Sequence, residues 1–69
     1  EKDKNNNAIV GRNIITYDCN NCIVQVPKEK LVVLQGLEDF IVVDKDNVLL
    51  IYPKSKEQEI KGIVASLKQ

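Results

Sequence analysis

The sequence predicts a mainly β domain of about five short strands followed by one carboxyl-terminal amphipathic α-helix. Three apolar runs, at residues 31–34, 40–43 and 48–52, are separated by polar turns of similar length. Short runs rich in Val, Ile and Leu suit a packed, pleated surface and are typical of strands. Near the carboxyl end, a capping pattern precedes apolar residues at helical spacing, which indicates the helix.

Two further strands are predicted upstream, at residues 14–17 and 22–26, with a turn at 18–21 and Pro27 ending the second strand. Residues 1–8 carry four charges and three consecutive asparagines, so we expect a flexible lead or linker there and one small domain over residues 9–69. The runs recur about every 8 or 9 residues, which suits either a hairpin meander or a β-helix coil. The lack of an Asn-Gly or Asp-Gly turn argues against two-residue hairpins, and the periodicity does not choose between the meander and the coil.

The apolar runs do not alternate with polar residues. Leu31 and Val33 face one side of a strand and Val32 and Leu34 the other, and all four are apolar. One helix covers one face of such a sheet, so we expect the second face to contact another copy or another domain. The candidate interface residues are Val32, Val33, Leu34, Ile41, Val42, Val43, Leu49 and Ile51.

The helix is expected at about residues 55–68. Ser55 and Gln58 form a capping-box pattern, and the apolar stripe comprises Ile60, Ile63, Val64 and Leu67. We expect the stripe to dock on the strands; a helix that binds a partner or a membrane surface is the alternative.

Composition excludes several functional classes. Ten basic and ten acidic residues cancel, so the chain has no net field to attract nucleic acid or an anionic membrane. No apolar run approaches the roughly 20 residues that cross a bilayer. The chain contains no methionine, and we expect it to be part of a longer protein.

Residues able to carry chemistry are few, and no catalytic, cofactor-binding or metal-binding residue is predicted. Cys19 and Cys22 form a C-x-x-C pattern, but the chain has no histidine and no second cysteine pair to complete a zinc site. We interpret Cys22 as a core residue and Cys19 as a turn residue, with a redox role or a metal shared between copies as the alternative. The turn residues Glu38, Asp39, Asp44 and Asp46, and the lysines Lys28, Lys30, Lys54 and Lys56, are interpreted as solvated.

The segment LVVLQGLEDFIVVDKDNVLLIYPK, followed by EQEIKGIVASLK, resembles the carboxyl end of mannose-1-phosphate guanylyltransferases. The matching positions are Gly36, Leu37, Asp39, Ile41, Val42, Val43, Asp44, Leu49, Leu50 and Ile51. The upstream stretch NNNAIVGRNIITYDCNNCIV is also similar to the family's lead-in. The family's glycine-rich nucleotide loop, G-x-G-x-R-L-x-P, is absent from this sequence.

The resemblance implies strands stacked as a left-handed β-helix-like or β-roll domain. It implies a structural or assembly role, without catalysis by this chain, in a cytoplasmic enzyme that joins GTP and mannose 1-phosphate to give GDP-mannose and pyrophosphate with magnesium. The implied partners are the enzyme's own catalytic domain, another copy, or both. The alternative function is a stand-alone module that binds a protein partner through a strand edge.

Overall fold

The computed structural model describes residues 5–67 and contains six strands and one carboxyl-terminal helix. The strands are β1 (Ala8–Val10), β2 (Asn13–Tyr17), β3 (Ile23–Gln25), β4 (Leu31–Gln35), β5 (Phe40–Lys45) and β6 (Val48–Pro53). A 3₁₀ turn at Lys54–Lys56 leads into helix α1, Glu57–Leu67. The prediction of a mainly β domain with a carboxyl-terminal helix is therefore confirmed, with the short strand β1 added at the amino end.

Strands β1 to β5 alternate between two sheets, so the chain winds as a β-helix. One sheet has the order β1-β3-β5-β6 and the other pairs β2 with β4. Strands one turn apart are parallel: Ala8 lies beside Ile23, Ile23 beside Ile41, and Asn13 beside Leu31. A hairpin meander would have paired successive strands antiparallel, and among the six described strands only β5 and β6 pair in that way.

The β5–β6 hairpin corrects the expectation against two-residue turns. Lys45 pairs with Val48 across a loop of only Asp46 and Asn47. Both loop residues have positive φ, 53° and 64°, as a type I′ turn requires. Asp and Asn tolerate this conformation because their short polar side chains bond locally, so an Asp-Asn pair serves here without glycine.

The core lies inside the coil and is small. The buried cluster contains Cys19, Cys22, Val24, Val26 and Val42. Partly buried side chains from both sheets and from the corners pack against it, namely Ile9, Ile14, Val32, Leu34, Leu37 and Phe40. The second sheet therefore presents alternate residues to the core, as the pleat of a strand dictates.

The domain begins earlier than predicted. Asn7 is fully buried and Ala8 starts β1, although both were assigned to a flexible lead. The backbone carbonyl of Asn5 also accepts a hydrogen bond from the Asn21 N–H at 3.0 Å. Residues 1–4 of the predicted lead lie outside the described residues.

Helix α1 covers the outer face of the β5–β6 hairpin with only part of its apolar stripe. Val64 borders a groove with Val43 and Leu50, while Ile63 and Leu67 are 55% and 64% exposed. Ser55 lies within the 3₁₀ turn, which starts after Pro53 without a side-chain cap, so the predicted capping box is not formed. The ion pair on this segment joins Lys56 and Glu59 at 3.2 Å.

Gly11, in the bend between β1 and β2, is the glycine that the coil requires. Its φ is +149°, and an added Cβ would lie 2.7 Å from Ile14 Cδ1 and 2.9 Å from Val26 Cγ2. We expect Gly11→Ala to lower the free energy of unfolding by about 2 to 3 kcal/mol, measured by urea denaturation, because strain and overpacking combine.

Gly62→Ala is the matched control. Gly62 lies in α1 with open space around it, so alanine there should raise stability by about 1 kcal/mol. Equal effects of the two substitutions would contradict the role assigned to Gly11.

Candidate functional site

The outer surface of the two-stranded sheet carries a cluster of exposed apolar side chains. Ile15, Tyr17, Leu31 and Val33 point away from the core, with exposures of 42%, 55%, 66% and 58%. Ile15 lies directly beside Val33 in the parallel register, so the side chains are contiguous across the two strands. We call these four residues the β2–β4 outer face. Clustered exposed apolar residues mark contact surfaces more often than isolated ones do.

The structure divides the predicted interface residues into three groups. Val33, Leu49 and Ile51 are exposed, at 58%, 60% and 53%. Val42 is a core residue and Ile41 is only 7% exposed, so the expectation that these two form a surface is corrected. The remaining three are half-buried, Val32 and Leu34 against the core and Val43 beside the groove under α1.

Ile15, Tyr17 and Leu31 were not among the predicted interface residues. Their positions follow from a repeat of 18 residues, which sets Ile15 against Val33 and Asn13 against Leu31. The same spacing of 18 residues pairs β3 with β5, but the repeat does not stand out from the sequence until the paired strands are known.

A ladder of polar side chains holds one corner of the coil. Asn6, Asn21 and Asp39 all have left-handed backbone, with φ of 64°, 56° and 59°. The Asn6 Nδ2 donates to Asn21 Oδ1 at 2.8 Å, and the Asn21 Nδ2 donates to Asp39 Oδ1. We call these three residues the corner ladder. They use their side chains to join successive turns of the coil.

Asn7 closes the amino end of the core beside the two cysteines. Its Nδ2 donates to the Cys19 carbonyl at 2.8 Å, and its Oδ1 accepts from the Cys22 backbone N–H at 2.8 Å. Both thiols are free and 1% exposed. Cys19, predicted to be a turn residue, is therefore part of the core. The carbonyl of Leu37 accepts from the Cys22 thiol at 3.4 Å.

The acidic residues have structural partners or turn positions. Asp39 belongs to the corner ladder, Asp44 accepts from Lys30 Nζ at 2.6 Å, and Asp46 forms the hairpin turn. Among residues 5–67, no group of three His, Cys, Asp or Glu side chains is arranged to hold a metal ion. Within the same range, no helix is long and apolar enough to cross a membrane.

This fold defines a class of protein: a short β-helix closed by a hairpin and a carboxyl-terminal helix. Its surface carries the apolar β2–β4 outer face. Residues 12–67 match the family model described as "MannoseP isomerase/GMP-like beta-helix domain". The chain belongs to that β-helix domain family.

Two curated relatives match nearly the whole of this chain. The chain is 37% identical over 68 residues to a putative mannose-1-phosphate guanylyltransferase of Vibrio cholerae, covering 99% of this chain and 14% of the relative. It is 36% identical over 66 residues to the alginate biosynthesis protein AlgA of Pseudomonas aeruginosa, covering 96% and 13%. The chain thus spans about one seventh of the length of these proteins.

A solved structure supports the fold. A protein of Thermus thermophilus, titled a mannose-1-phosphate geranyltransferase, superposes with a TM-score of 0.70 over the whole of this chain and 21% of its own. The identity is 22%, so this likeness concerns the architecture.

The buried amide of Asn7 yields a stability prediction. We expect Asn7→Ala to lower the free energy of unfolding by about 2 kcal/mol, because the Cys19 carbonyl and the Cys22 N–H would lose their buried partner. Thermal and urea unfolding followed by circular dichroism measure the change.

Asn13→Ala serves as the control, since the Asn13 Nδ2 donates to the Lys28 carbonyl at 3.4 Å in an exposed setting. Its effect should stay within about 0.5 kcal/mol. An Asn7→Ala protein as stable as the Asn13→Ala protein would rule out that the Asn7 side chain stabilises the amino end of the core.

Proposed function

We propose that this chain is the non-catalytic β-helix domain of a mannose-1-phosphate guanylyltransferase and that it acts in assembly. The family match and the names of the relatives support the choice of enzyme. In that enzyme, GTP and mannose 1-phosphate give GDP-mannose and pyrophosphate, and magnesium assists nucleotidyl transfer in a separate catalytic domain. The cytoplasm suits this proposal, because the free thiols of Cys19 and Cys22 persist in a reducing compartment.

The observation that carries the assembly role is the β2–β4 outer face. Its four apolar side chains are exposed on strands whose other side already packs on the core. A small domain gains stability when such a face is covered, since burial is worth about 25 cal/mol per Å² of apolar surface. We propose that the catalytic domain of the same polypeptide covers it and that the contact sets the position of the β-helix.

The chemistry of the described residues is consistent with a role without catalysis. The Asp44 and Asp39 carboxylates are used in an ion pair and in the corner ladder. The use of these two carboxylates within the fold supports a contribution through the surface that the domain presents.

The proposal is tested first on the native polypeptide that carries this chain. We expect its mass to be several times 7.8 kDa, and we expect the purified protein to form GDP-mannose from GTP and mannose 1-phosphate with magnesium. A native product near 7.8 kDa, or a longer product without this activity, would overturn the enzyme assignment and favour the stand-alone binding module.

The docking surface is tested with Leu31→Lys/Val33→Lys in that full-length protein. We expect the β-helix and the catalytic domain to unfold in separate calorimetric transitions, because lysine on this face weakens their contact. The control is Ile63→Lys, a residue that is 55% exposed on α1, which should leave one coupled transition. Coupled unfolding of the Leu31→Lys/Val33→Lys protein would place the contact elsewhere.

A further inference from the structure

Cys19 and Cys22 are two free thiols that lie in the core and have no part in the proposed assembly role. Each is 1% exposed, and both belong to the same buried cluster. They are the only cysteines in the sequence, and they form a C-x-x-C pattern. This spacing is typical of thiol pairs that are reversibly oxidised to a disulfide. We call the two residues the dithiol.

A bend of the backbone and the amide of Asn7 keep the two cysteines close. Asn21, between them, has left-handed backbone with a φ of 56°, and the chain bends there. The Asn7 side chain donates to the Cys19 carbonyl and accepts from the Cys22 N–H, each at 2.8 Å. These two main-chain groups are therefore separated by no more than one side-chain amide and its two hydrogen bonds.

Only weak contacts hold the two thiols in their orientations. The Cys19 thiol donates to the Tyr17 carbonyl at 3.5 Å. The Cys22 thiol donates to the carbonyls of Asn20 and Leu37, both at 3.4 Å. A thiol is a weak hydrogen-bond donor. The two sulfur atoms can therefore be reoriented without the loss of a strong hydrogen bond.

The first turn of the coil, residues 5–10, covers the dithiol and is attached on one side. Its strand β1 has three residues, ends the four-stranded sheet and, among the described strands, pairs only with β3. Asn7 is fully buried, but Val10 is 58% exposed. Terminal segments of a fold open locally at a lower free energy than the whole domain needs to unfold. Opening of the first turn would remove Asn7 from the cysteines and admit solvent to both thiols.

We propose that the dithiol is a redox modification site: when the first turn opens, a hydroperoxide oxidises Cys19 and Cys22 to a disulfide. With hydrogen peroxide, the thiolate of one cysteine attacks an oxygen atom, the O–O bond breaks, and a sulfenic acid and hydroxide form. The thiolate of the other cysteine attacks the sulfenic sulfur, the S–S bond forms, and a second hydroxide leaves. The two protons released by the thiols convert both hydroxides to water. In total, the two thiols give two electrons to the peroxide, which becomes two water molecules.

Hydrogen peroxide added to the reduced 69-residue chain tests the proposal. We expect the intact mass to fall by two hydrogen atoms and the two titratable thiols to disappear. Trypsin cuts after Arg12 and Lys28, so one peptide, 13–28, contains both cysteines. This peptide should be lighter by the same two hydrogen atoms and should regain its mass with dithiothreitol.

Three results would overturn the modification site, under conditions that oxidise free cysteine completely. The chain could keep both thiols, it could gain oxygen atoms without forming the disulfide, or it could join to a second chain through its cysteines. The measurement involves only this chain, so its outcome is independent of the proposed enzyme function.

Asn7→Ala tests whether the first turn controls the reaction. Without the Asn7 amide the turn opens more often, so we expect the disulfide to form about tenfold faster when opening and closing are fast relative to oxidation. The control is Leu50→Ala, a half-buried residue on β6 at the other end of the sheet. Its rate should stay within about twofold of the starting chain, because it destabilises the hairpin and not the first turn.

Circular dichroism establishes that both variants are folded, and urea denaturation measures the stability that each has lost. Equal acceleration by Asn7→Ala and Leu50→Ala would show that oxidation follows unfolding of the whole domain. That result, or an Asn7→Ala chain oxidised no faster than the starting chain, would overturn control by the first turn.

Discussion

The vertical alignment of the coil corners is the constraint on which the rest of the structure depends. At one corner, Asn6, Asn21 and Asp39 each adopt left-handed backbone and join successive turns through their side chains. At another, Asp18 and Gly36 share that conformation, and the Gly36 N–H donates to the Tyr17 carbonyl at 2.9 Å. Because the corners stack, the strands between them stack in parallel register, and the register decides which side chains enter the core.

A coil of this size encloses little volume, and that explains how its surface is used. The fully buried side chains are small, the valines and cysteines of the core together with the amide of Asn7. Several bulky apolar residues are exposed, on the β2–β4 outer face and along β6. A domain with so small a core gains from contacts with larger partners, since short chains bury a low share of their surface. The residues of the β2–β4 outer face, which the small core leaves exposed, are therefore the residues that we propose contact the catalytic domain.

The polar residues of the turns have structural roles, and this explains why their motifs do not mark a catalytic or metal-binding site. Aspartate and asparagine occur at the corners because these residues tolerate positive φ and bond to neighbouring turns. Asp39 and Asn21 are partners in such a contact, and the Lys30–Asp44 pair links the lead-in of β4 to the end of β5. Carboxylates that stabilise a coil in this way look in sequence like a candidate cation site.

The sequence by itself determined five of the six strands, the carboxyl-terminal helix and the family resemblance, since these depend on local apolar runs, on helical spacing and on a contiguous motif. Only the tertiary structure decided the strand pairing and the burial of Asn7 and Cys19. It also decided which predicted interface residues are buried, Ile41 and Val42, and which are exposed, Val33, Leu49 and Ile51. A strand with apolar residues on both sides carries no local signal for which side faces inward. That choice is made by the strand one turn away, 15 to 18 residues along the chain, and by the hairpin and helix that cover one side of β5.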